Sequence, residues 1–131
     1  MSAISLSSLL QYTLQTWDGG VTLALNGEAD YVAVPAMRRL LNDLQDKKLP
    51  LLIVDLTDVT FLNTPFWAAL QVYQLKGQPR SRLAVCGMNE SLTAAFNLNG
   101  VGDASEEGNR VHVYGTCDEA KRASGHDSRV A

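Results

Sequence analysis

The chain has 131 residues, is 46% hydrophobic, and carries a formal net charge of -3 with a pI near 5.2. That length supports one domain around one core. Its basic residues are scattered, as Arg38, Lys47, Lys76 and Arg110, which excludes a nucleic-acid surface because counterion release needs concentrated Lys and Arg.

Taken in chain order, the first strand is predicted over Leu10 to Thr16, followed by the turn Asp18-Gly19-Gly20. The second is Val21 to Asn26, where Val21, Leu23 and Leu25 alternate with Thr22, Ala24 and Asn26, so the two make a hairpin. Gly27-Glu28-Ala29-Asp30 interrupts the alternation. From Pro35 onward Met37, Leu40, Leu41 and Leu44 fall on one helical face, with Arg38, Arg39, Asn42 and Asp43 opposite. The run Leu51-Leu52-Ile53-Val54 lacks alternation and reads as a central strand covered on both faces, leading through Asp55 and a short polar loop to Asn63-Thr64-Pro65.

A helix from Thr64 or Pro65 to about Lys76 places Phe66, Ala69, Leu70 and Tyr73 on one face and stops at Gly77. Arg82 to Cys86 is the next strand, Asn89 to Leu98 the next helix, and Gly100 to Asn109 a polar loop. Val111 to Tyr114 is the last strand, and a short helix around Asp118 to Arg122 comes after it. The small, polar, charged stretch from Ser124 is expected to be disordered, giving a domain over 1–123 and a tail over 124–131. Alternation after the opening hairpin predicts an α/β domain with a mixed, mostly parallel sheet of four to five strands and helices packed mainly on one face.

Little in the sequence points to catalysis. Cys86 and Cys117 lie far apart without Cys-x-x-Cys spacing, which points to a reducing compartment and buried or half-buried thiols. His112 and His126 lack a second ligand at metal-binding spacing. No nucleophile is paired with a histidine, and Gly100-Val101-Gly102 lacks the third glycine and preceding strand of a dinucleotide site. The expectation is therefore no enzyme, no metal and no cofactor. Met1 to Leu10 shows neither a charged leader nor a long apolar stretch, so no secretory signal or membrane insertion is expected, and the location reads as cytoplasmic.

From Val21 to Arg122 the chain resembles the sulfate transporter and anti-sigma factor antagonist family, called STAS. Gly27-Glu28-Ala29-Asp30 is similar to the family's Gly-Glu-Leu-Asp turn. Val54-Asp55-Leu56, Val59-Thr60-Phe61-Leu62 and the segment from Leu92 to Gly100 are similar to its later motifs, in the family's order and spacing. The resemblance implies an anti-sigma factor antagonist that switches between partners, binding an anti-sigma factor or kinase-like protein. The alternative it allows is a phosphorylation-independent scaffold, or an accessory subunit of a transporter or signalling complex. It fixes no oligomeric state.

In that family the strand and loop lead into Asp-Ser-Ser-Gly, whose first serine is phosphorylated. Asn63, Thr64, Pro65 and Phe66 hold those positions here, so only the hydroxyl of Thr64 is kept. Asn63-Thr64-Pro65 serves equally well as a helix start and as a phosphoacceptor site. Phe66 puts a ring where the family's glycine lets a partner approach. Phe66 and Trp67 differ by about 100° around the helix axis, which predicts that one of them is exposed as a contact anchor. The expected partner-binding set is Glu28, Asp30, Asn63, Thr64, Phe66 and Trp67, with Asp55 satisfying loop amides.

Overall fold

The computed structural model describes residues 3–77, 81–100 and 111–130, with 124–130 described by their backbone alone. The elements are β1 (Ile4–Ser5), β2 (Leu10–Trp17), β3 (Gly20–Ala29), a 3-10 turn (Tyr31–Ala33), α1 (Val34–Asp46), β4 (Leu51–Leu62), α2 (Thr64–Gly77), β5 (Arg82–Cys86), α3 (Glu90–Leu98), β6 (His112–Tyr114) and α4 (Cys117–Val130). The strands form one six-stranded sheet in sequence order. Pairing is antiparallel from β1 to β3 and parallel from β3 to β6. This is the predicted α/β sheet with one strand beyond the expected range, since β1 is two residues long and leaves no periodic trace.

The central strands put alternate residues on the two faces. Leu52, Val54, Leu56, Leu83 and Val85 pack with Met37, Leu41 and Leu44 of α1, Leu70 and Tyr73 of α2, and Leu92 and Phe96 of α3. On the other face Leu51, Ile53, Ala84 and Cys86 pack with Ala120 of α4. The unbroken apolar run of β4 is thus buried on both sides, as its lack of alternation predicts.

Three expectations are corrected. The polar loop after Asp55 is instead strand, because β4 continues to Leu62 beside β3. Two register shifts, between Ala24 and Asn26 and between Gly27 and Glu28, each put an extra residue on β4. These bulges bury Leu56, Val59 and Leu62 at every third position, a spacing that masks the two-residue strand period. Cys86 and Cys117 are not separate thiols but a disulfide with Cα atoms 5.5 Å apart. Pairing of Cys86 with Tyr114 in the parallel ladder returns the chain to within three residues of Cys117, so sequence separation misled.

The last helix is also longer than predicted, its backbone continuing through 124–130. Asp118 and Glu119 in the first turn suit the helix N-terminus, and no proline interrupts its later turns. The polar loop predicted over Gly100 to Asn109 falls almost wholly outside the described residues.

Candidate functional site

The site lies where β3 and β4 run out side by side at one end of the sheet. Ala29 is in register with Leu62 and Glu28 with Phe61, so the turn after β3 and the start of α2 are neighbours. On the other side of β3, Gly27 lets the backbone at Leu9 come close: its φ is +112°, and a Cβ there would fall 2.0 Å from the Leu9 carbonyl oxygen. Only glycine fits.

Asn63 caps α2. Its Oδ1 accepts the Phe66 backbone N–H at 3.1 Å, while its Nδ2 is buried without a partner among the described residues. Asn63 is itself buried, so the cap acts beneath the surface. Thr64, the next residue, is exposed at the first position of the helix, and Pro65 comes next, where no intrahelical N–H is required. The positive end of the helix dipole therefore lies at an exposed hydroxyl-bearing residue.

Phe66 and Trp67 are both only 1% exposed, which corrects the expectation of an exposed ring. Helix α2 is covered on more than one side. Trp67 meets Phe96 of α3 edge to face, with ring centroids 5.9 Å apart, and Phe66 joins the main core. Rings about 100° apart can both be buried when a helix lies between a sheet and neighbouring helices.

Exposed apolar side chains are found instead at the end of β4 and directly after β3. Tyr31 is 71% exposed, Val32 75% and Phe61 52%. The sequence reading missed all three. Tyr31-Val32 directly after the Gly-Glu-Ala-Asp turn was the available signal, since a β-branched and an aromatic residue there belong to neither flanking pattern.

Asp30 is partly accounted for by structure. Its Oδ1 accepts from Ser7 Oγ at 3.0 Å and from the Ala33 backbone N–H at 3.3 Å, fixing the 3-10 turn that presents Tyr31 and Val32. Glu28 is exposed next to Phe61. Asp55 accepts from the Thr57 backbone N–H at 3.0 Å and from Thr57 Oγ1 at 2.6 Å, the local amide-satisfying role expected of it.

Gln74 was also missed. Fully buried in α2, it accepts the Leu83 N–H at 2.6 Å, joining helix to strand. No helix among the described residues is long and apolar enough to cross a membrane.

Comparison with known proteins agrees with this architecture. No curated protein sequence matches the chain significantly. Among solved structures, an anti-sigma factor antagonist from Mycobacterium paratuberculosis is 21% identical with a TM-score of 0.78, covering 95% of this chain and 99% of its own. The anti-sigma factor antagonist SpoIIAA in its unphosphorylated form is 17% identical with a TM-score of 0.66, covering 87% and 96%. The Bacillus cell fate determinant SpoIIAA in its phosphorylated form is 16% identical with a TM-score of 0.59, covering 92% and 99%. At these identities the likeness is one of fold. The STAS domain model matches residues 11–120, nearly the whole described chain from β2 into α4, and the protein belongs to the STAS domain family.

Proposed function

We propose that this chain is a non-enzymatic cytoplasmic regulator that binds another protein, an anti-sigma factor antagonist whose partner is a kinase-like anti-sigma factor and whose phosphoacceptor is Thr64. The observation that supports it most is an exposed Thr64 at the first position of α2, directly after the buried Asn63 cap, at the end of the sheet where Phe61 of β4 and Tyr31 and Val32 after β3 are also exposed. Glu28 lies beside Phe61 in register, and the partly buried Asp30 holds the turn in place. In this reading Phe66 and Trp67 support the surface from below, and the interior position of Phe66 leaves the approach to Thr64 clear. The structures of SpoIIAA in unphosphorylated and phosphorylated forms lend the reading its precedent.

Phosphate on Thr64 adds about -1.5 to -2 charges at the edge of the contact patch. The helix N-terminus accommodates that charge, whereas a partner surface placed against it loses complementarity. Binding is switched without refolding. The test is incubation of the chain with its cognate kinase and ATP, read by intact mass. One phosphate is expected on the wild type and none on Thr64→Ala, and Thr64→Glu is expected to bind the partner at least about tenfold more weakly, about 1.4 kcal/mol. No phosphate on the wild type, or the same phosphate on Thr64→Ala, ends the switch reading. Unchanged affinity in Thr64→Glu leaves the phosphorylation-independent scaffold in its place.

A further inference from the structure

Cys86 ends β5 fully buried, and Cys117 opens α4 half-buried. Their disulfide ties β5, the strand beside the β6 edge, to the first residue of the helix on the face opposite α1, α2 and α3. The helix also packs on β4, β5 and β6. Among its described side chains only Ala120 is fully buried, and Lys121 places its ammonium 5.7 Å from the centre of the Trp17 ring. A cleft of about 140 Å³ stays open between helix and sheet, bounded by Leu51, Ala84, Tyr114, Ala120 and Ala123. Asp118, Glu119 and Arg122 face solvent.

The bond can be reached from one side. Cys117 lines an open cleft of about 460 Å³ together with Asp55, Thr57 and Gly115, whereas Cys86 has no exposed surface. We propose that Cys86 and Cys117 form a reversible thiol-modification site, whose disulfide latches α4 over Leu51, Ile53 and Ala84 and whose reduction releases it.

The reactant is a small-molecule disulfide. Cys117, as thiolate, attacks one of its sulfurs, forming a mixed disulfide and expelling one small thiolate. Cys86 Sγ then attacks Cys117 Sγ, the mixed disulfide breaks, and the second small thiolate leaves. The two protons given up by the cysteines end on the two small thiols, and the small disulfide is reduced by two electrons as the pair is oxidised. Small thiols reverse the sequence. Thr64 has no part in this device, which lies on the other face of the sheet from α2.

The full chain, held first in dithiothreitol and then in oxidised glutathione, is alkylated with iodoacetamide and weighed intact. Two alkylated cysteines are expected after reduction and none after oxidation, with return to two on re-reduction. Amide hydrogen exchange over 117–123 is expected to speed up at least about tenfold on reduction while α1 is unchanged. Cys117→Ser is expected to exchange at the reduced rate in both buffers. If that variant fails to fold, the wild type in its two states carries the comparison alone.

Persistence of two alkylatable cysteines in oxidised glutathione overturns the proposal, as does equal exchange of α4 in both states. One ligand atom each from Asp55, Cys86 and Cys117 lies within 4.8 Å of the others. Retention of one added zinc ion per reduced chain, lost in Cys117→Ser, would therefore replace the latch with a metal centre.

Discussion

Tyr73 shows at a single residue how burial sets a titration. Its hydroxyl has no partner among the described residues, and desolvation pushes its pKa from 10.0 up to about 12. The folded state thus favours the neutral phenol more strongly than the unfolded chain does. Stability from this group is fully present below about pH 10 and is lost as pH rises toward 12. Tyr73→Phe removes both the titration and the unmet hydrogen bond. It is expected to match or exceed wild-type stability by about 1 kcal/mol at neutral pH and to lack the extra alkaline loss. Urea midpoints at pH 8, 10 and 11.5 check this; a wild type and variant that fall in parallel would mean that the hydroxyl is solvated. Asn63 is the contrasting case, since one of its two polar atoms is used by the helix cap and the other is not.

At the scale of elements, the end of the sheet is shaped by the turn between β3 and the 3-10 segment. Gly27→Ala forces a Cβ against the Leu9 carbonyl at a φ that L-residues rarely adopt. The variant is expected to lose more than about 1 kcal/mol, with faster amide exchange in β2 and β3 than in α3; wild-type stability would show that the strand pair relaxes freely. Elements set by simple periodicity were legible in the sequence, as Met37, Leu41 and Leu44 on α1 and the two-sided burial of β4 show. Those that depend on neighbours were not. The two bulges turn the β4 pattern from every second residue to every third, and α2 hides Phe66 and Trp67 together because α3 closes over the second ring. Thr64 is a phosphoacceptor candidate by position and order alone, and it is exposed at the start of α2. Adjacency in sequence points to Phe66 or Trp67 as an exposed ring, whereas Tyr31 and Phe61 are the exposed ones, because exposure is a property of the packed helices.

For the whole molecule, the sheet has a heavily packed face, a thinly covered face and a rim, and the proposed binding belongs to the rim. Stability and binding should therefore separate. Trp67 is buried against Phe96, so Trp67→Ala is expected to cost about 3 to 5 kcal/mol of stability through the cavity and the lost ring contact. Tyr31→Ser and Phe61→Ser remove exposed side chains, and each is expected to change stability by no more than about 0.5 kcal/mol. Exposed aromatics that become buried on association carry much of the binding energy of a contact. The same two variants are therefore expected to weaken partner binding about tenfold or more, equivalent to about 1.4 kcal/mol each. Calorimetric titration of folded variants, with thermal unfolding alongside, separates the two effects. Wild-type affinity in both rim variants would move the interface away from Thr64, whatever the phosphorylation state of that residue, because a charge at the patch edge can switch only a surface that the partner covers.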